Sequence, residues 1–87
     1  MRLTRKVAIV TGASRGIGKV IARHLAEEGA VTVLSDRNRE HGEAAANELA
    51  AQDLECCFLP ADISAPVESR ELVEAVVRTF GRVDILW

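Results

Sequence analysis

The segment TGASRGIG at 11–18 places three glycines in eight residues, directly after the apolar run KVAIV. Glycines there give backbone amides close access to an anion, so phosphate binding is the chemistry to weigh. A nucleoside-triphosphate loop needs G-x-x-x-x-G-K-[ST]. Gly18 and Lys19 supply its last glycine and its lysine, but Ala13 stands at the first glycine position and Val20 at the hydroxyl position. That match fails on spacing and on magnesium chemistry. A dinucleotide loop needs a strand, a tight glycine turn and a helix N-terminus aimed at a pyrophosphate. The spacing here is G-x-x-x-G-x-G, over Gly12, Gly16 and Gly18. Gly12 ends the strand in a turn without a Cβ clash, Gly16 lets backbone approach the phosphates, and Gly18 lets the helix lie close to the sheet. A purely structural turn is the alternative.

Two carboxylates extend this reading. Asp36 closes the run VTVLSD, 18 residues beyond Gly18. A carboxylate there can accept both hydroxyls of an adenosine ribose, and its charge opposes a 2′-phosphate. That favours NAD over NADP. Arg37 follows at once and Arg15 lies in the glycine turn. Either guanidinium could pair with a 2′-phosphate, and Arg37 could instead stack on adenine. Asp62, in PADIS, falls after the next apolar run. It could accept from the adenine amino group while Ile63 lines the ring, or it could simply cap a helix.

The elements that would position these groups follow from the pattern. Lys6–Val10 reads as a buried strand. From Ile17 the period becomes helical, with Ile17, Val20, Ile21 and Leu25 on one face, and Gly29 stops the helix. Val31–Leu34 is a second strand, and a second helix runs from Asn38 or Arg39 to about Ala51 with a thin core face of Ala45, Ala46 and Leu49. Leu54–Pro60 is a third strand. Ser64 is a candidate cap for a third helix, with Pro66 in its first turn and Leu72, Val73, Val76, Val77 and Phe80 on its apolar side. Gly81 ends it and Val83–Trp87 begins a fourth strand. Such alternation implies one α/β domain over 1–87: a Rossmann-type parallel sheet with helices on both faces, incomplete at about four strands and three helices.

Other chemistries find little support. Cys56 and Cys57 are adjacent, so in a strand they point to opposite faces and read as small apolar side chains, with a redox or catalytic thiol as the alternative. No Cys/His spacing suits zinc, and no metal is expected. A formal charge of −2, with no basic block, argues against nucleic acid. Apolar runs of about four residues are too short for a membrane helix or a secretion signal, which makes a cytoplasmic setting the expectation.

Taken together, TGASRGIG, Gly29–Ala30, Asp36, Asp62–Ile63 and GRVDIL at 81–86 resemble the short-chain dehydrogenase/reductase (SDR) family, in particular its 3-oxoacyl-(acyl-carrier-protein) reductase-like members. The resemblance implies an NAD(P)-dependent oxidoreductase that transfers hydride between an alcohol and a carbonyl. It implies that Gly12, Ser14, Arg15, Gly16, Ile17 and Gly18 surround the cofactor's phosphates and ribose. Asp36 would hold the adenosine ribose, Asp62 with Ile63 the adenine, and Thr11 would brace the turn against the fourth strand. It also implies a small alcohol or ketone substrate and a homo-oligomeric parent. The family's catalytic Ser and Tyr-x-x-x-Lys are missing: the chain has no tyrosine, and its lysines, Lys6 and Lys19, belong to the first strand and first helix. No catalytic residue is therefore expected in this chain. It reads as the N-terminal cofactor-binding portion of such an enzyme or, alternatively, as a non-catalytic dinucleotide-binding module.

Overall fold

The computed structural model describes residues 3–14 and 16–87. Its elements are β1 (Val7–Thr11), α1 (Gly16–Glu27), β2 (Val31–Ser35), α2 (Arg39–Ala50), β3 (Cys56–Phe58), α3 (Pro66–Phe80) and β4 (Ile85–Leu86). The four strands form one parallel sheet in the order β3-β2-β1-β4. Register pairs Ile9 with Val33 and Val10 with Leu34. Strand alternation sends these two pairs to opposite faces.

Two cores result. Val10 and Leu34 meet α1 and α2 through Ala22, Ala45, Ala46 and Leu49. Val7, Ile9 and Val33 meet α3 through Leu72 and Val76. Ile9, Val10, Val33 and Leu34 are fully buried, each burial contributing roughly 1.5–3 kcal/mol. The sheet thus carries helices on both faces, as in an incomplete Rossmann fold. The adjacent cysteines split between the faces: Cys56 packs on the first core and Cys57 on the second. Burial pushes both thiols up, Cys56 to about 11 with Cys57 adding to the effect.

Several sequence expectations need correction. The buried face of α1 consists of Gly18, Ala22 and Ala26. Ile17 and Val20 are 69% and 54% exposed, while Ile21 and Leu25 pack only at the flank of the core. The helix lies so close to the sheet that only small side chains fit between. A Cβ on Gly18 would collide with the carbonyl oxygen of Gly12. Gly42 of α2 is held similarly, since a Cβ there would enter the Phe58 ring.

Ser64 is not the cap of α3. Ala65 holds that position without a side-chain hydrogen bond, and Pro66 occupies the first turn. The Ser64 hydroxyl is turned instead to Asp62 Oδ1, at 2.6 Å. Val77 of α3 is exposed rather than core. β3 and β4 are also shorter than the expected runs Leu54–Pro60 and Val83–Trp87. Leu59 still donates to Leu34 O at 3.0 Å, but the chain then leaves the sheet at Pro60, which has no amide to give. β4 is extended at both ends by bonds to β1, from Asp84 N to Val7 O on one side and from Trp87 N to Ile9 O and Thr11 N to Trp87 O on the other.

One carboxylate missed by the sequence reading anchors this seam. Asp84 Oδ2 accepts from Val7 N at 2.9 Å, while Oδ1 accepts from Arg82 at 2.6 and 3.0 Å. The Arg82 hydrogen bond, helped by Val7 N–H, holds the Asp84 carboxyl below its usual range.

Candidate functional site

The site forms at the carboxyl edge of the sheet, where parallel strands deliver their following loops to one side. β1 ends at Thr11, whose amide and hydroxyl both donate to Trp87 O at 2.8 Å, tying the turn to the chain after β4. The chain reverses at Gly12, with φ 61°, a value that disfavours any residue with a Cβ. Ala13 N then donates to Ser35 O at 3.3 Å, which lays the turn across the end of β2. α1 begins at Gly16, with φ 66° and open space where a Cβ would stand. The first amides of such a helix have no carbonyl partner within it and carry the positive end of its dipole.

Asp36 stands just beyond β2. Its Oδ2 accepts from the Ser14 hydroxyl at 2.7 Å and, more distantly, from Ser14 N at 3.4 Å. Its Oδ1 accepts from Asn38 N at 2.9 Å. Its main-chain oxygen accepts from Ala61 N at 3.4 Å, which brings the loop after β3 alongside. That loop is shaped by Asp62, whose Oδ1 accepts from Ser64 N at 3.0 Å and from Ser64 Oγ at 2.6 Å. Glu68 of α3 accepts from Asp62 N at 3.0 Å. The Ser64 hydroxyl and amide, with the nearby Arg37 charge, hold the Asp62 carboxyl below its usual range.

Between these loops lies a cleft of about 280 Å³. Gly12, Asp36, Arg37, Asp62 and Ile63 line it. Among the described residues, two carboxylates and one guanidinium therefore share its wall. Ile63 is largely exposed and offers an apolar surface beside the charges. Sequence reasoning missed Ser35, Ala61 and Ser64, which complete the lining. Ser35 was legible only as the last residue before Asp36. Its hydroxyl is buried without a hydrogen-bond partner among the described residues.

The expected residues do not all meet in this cleft. Ser14 lies behind Asp36, in a neighbouring depression with Lys19, His41 and Glu48. Gly16 and Ile17 stand at the start of α1, outside the cleft lining, and Gly18 is buried against Gly12. Arg15 lies outside the described residues. Thr11 braces the turn as the resemblance implied. No group of acidic, histidine or cysteine side chains suited to a metal occurs among the described residues.

Comparison with known proteins agrees with this fold. The chain is 43% identical over 86 residues to an uncharacterized oxidoreductase of Methylorubrum extorquens, covering 98% of this chain and 35% of the relative. It is 44% identical over 84 residues to one of Staphylococcus aureus, covering 97% and 36%. The chain thus spans about a third of the length of these relatives. Among solved structures, an Escherichia coli hydroxysteroid dehydrogenase superposes with a TM-score of 0.93 at 36% identity, over 98% of this chain and 36% of that one. A Pseudomonas aeruginosa RhlG/NADP active-site complex does so with a TM-score of 0.88 at 39% identity, over 97% and 34%. Because the short chain dehydrogenase model matches from residue 6 to residue 87, nearly the whole length, the chain belongs to that family.

Proposed function

We propose that this chain is the dinucleotide-binding part of an NAD(P)-dependent oxidoreductase acting on an alcohol/carbonyl pair, with NAD favoured over NADP. The observation that carries the reading is the Asp36 carboxylate, held at the rim of a cleft between the glycine turn and the loop after β3. The residues present suit the ligand. Gly12 and Gly16 leave open space where side chains would otherwise project, and the Ser35 hydroxyl under the cleft has no hydrogen-bond partner among the described residues. A 3-oxoacyl-(acyl-carrier-protein) reductase-like place within the family rests on the motif resemblance alone.

In this reading the first amides of α1 donate to the diphosphate, and Gly16 keeps that approach free of side chains. Asp36 accepts the ribose hydroxyls, and Asp62 and Ile63 border the adenine. Among the described residues, two carboxylates face the Arg37 guanidinium in the cleft lining, which supports NAD over a cofactor with an added 2′-phosphate. The similar RhlG structure was solved with NADP, so both cofactors belong in the test. A bound nicotinamide would supply the hydride donor or acceptor. Proton transfer to the substrate oxygen needs a positioned acid, and this chain holds no tyrosine for it. The isolated 87 residues should therefore bind without turnover.

The test is a titration of NADH and NADPH into the purified chain, followed by amide chemical shifts. Shifts should centre on Gly12, the first turn of α1, Asp36 and the loop at 61–64. Asp36→Ala should weaken NADH by roughly ten- to a hundredfold, the loss of hydrogen bonds to a charged acceptor. No shifts with either cofactor, or an undiminished NADH affinity in Asp36→Ala, would overturn the reading.

A further inference from the structure

We propose that Ser14 is a positioning residue that aims the Asp36 carboxylate, and so sets the choice between a free 2′-hydroxyl and a 2′-phosphate; this rests on the reading above. The Ser14 hydroxyl does not line the cleft. It donates to Asp36 Oδ2 at 2.7 Å from behind, in the depression shared with Lys19 and Glu48. Asn38 N holds the other oxygen at 2.9 Å. Each oxygen is thus held by a donor from a different loop, one before α1 and one before α2. With Ser14 N also within 3.4 Å of Oδ2, these donors fix the plane of the carboxylate at the edge of the cleft that Asp36 lines. The glycine turn therefore acts on the ribose through a protein–protein hydrogen bond, in addition to whatever its amides do for phosphate.

The consequence for selectivity follows from charge. An aimed carboxylate accepts from a 2′-hydroxyl and repels a 2′-phosphate. Without the Ser14 hydroxyl, Oδ2 keeps the longer Ser14 N contact at 3.4 Å, the carboxylate is aimed less firmly, and both effects weaken. Arg37, exposed on the same cleft wall, would then meet a 2′-phosphate with less opposition.

The experiment uses the 87-residue chain with NADH and NADPH as probes, and amide shifts report both affinity and fold. Ser14→Ala should weaken NADH about tenfold, the loss of one hydrogen bond to a charged group. NADPH affinity should hold or rise. Ser14→Thr keeps the hydroxyl and should restore NADH binding. In an Asp36→Ala background, adding Ser14→Ala should change NADH affinity by less than about twofold, because the mediating carboxylate is gone. An unchanged NADH affinity in Ser14→Ala, equal weakening of both cofactors, or the same tenfold loss without Asp36 would each overturn the proposal. Asp36→Ala alone reports on the underlying dinucleotide reading, so the two can fail separately.

Discussion

Replacing Gly18 by alanine sets two effects of known sign against each other. Gly18 sits in α1 with ordinary helical backbone, where alanine is favoured by about 0.8–1 kcal/mol. The added Cβ, however, would overlap the Gly12 carbonyl oxygen, with Gly12 C at 2.9 Å and Ala13 Cα at 3.2 Å. These are backbone atoms of the turn and cannot rotate aside. α1 must lift from the sheet, loosening Ala22 and Ala26 as it goes. Overpacking of this kind costs about 1–3 kcal/mol, and the rigid neighbour puts it at the upper end. The expected net loss is about 2 kcal/mol, which in a domain of this size lowers Tm by roughly 8–16 °C. Gly42→Ala is the matched control. Its obstacle is the half-buried Phe58 ring on the edge strand β3, which can swing outward, so the loss should be about 1 kcal/mol or less. Urea unfolding followed by far-ultraviolet circular dichroism reads both. A Gly18→Ala chain as stable as the parent, or less affected than Gly42→Ala, would refute the close-approach argument.

Two further outcomes follow from the titratable groups. Because Asp84 titrates below its ordinary 3.8 in the folded chain, its contribution to stability is complete above that value and disappears as pH falls through the lower folded value. Asp84→Asn should therefore flatten the acid limb of a stability–pH profile and leave its shape near neutrality alone. An unchanged acid limb would show that the Val7 and Arg82 contacts do not matter in solution. With Cys56 raised from 9.0 to about 11, its thiolate fraction at pH 8 is about a hundredfold below that of an ordinary cysteine. In a Cys57→Ser chain, thiol-directed reagents should label Cys56 correspondingly slowly when folded and fast in urea. Rapid labelling of the folded chain would contradict the burial assigned to this strand.

The sequence exposed the architecture because its signals were local. A strand, a glycine turn and an amphipathic helix each announce themselves within a dozen residues, and Asp36 follows at the spacing that a strand end requires. What stayed hidden depended on distances between elements. Helical periodicity grouped Ile17 and Val20 with Ile21 and Leu25, but it could not report how narrow the gap above β1 is. Closeness at Gly18 moved the buried face to glycine and two alanines. The bond from Ser14 to Asp36 stayed hidden because nothing in TGASRGIG reveals a partner 22 residues away. Asp84 looked like part of a family signature until its bond to Val7, 77 residues earlier, gave it a physical task. Ser64 looked like a cap because its residue type favours that role, yet Asp62 competes for its hydroxyl and Ala65 takes the position.

The unequal filling of the two sheet faces has a consequence for how this chain can change. On the α1 face the filling from the helix is Gly18, Ala22 and Ala26, so enlargement at Gly18 meets turn backbone, while the bulk of that core comes from Val10, Leu34 and Leu49. Against α3 the filling is Val7, Ile9, Val33, Leu72 and Val76, branched side chains that can exchange volume among themselves. Sequence drift, or a laboratory search for tougher variants, should therefore find its room on the α3 side and leave the close approach at Gly18 almost frozen.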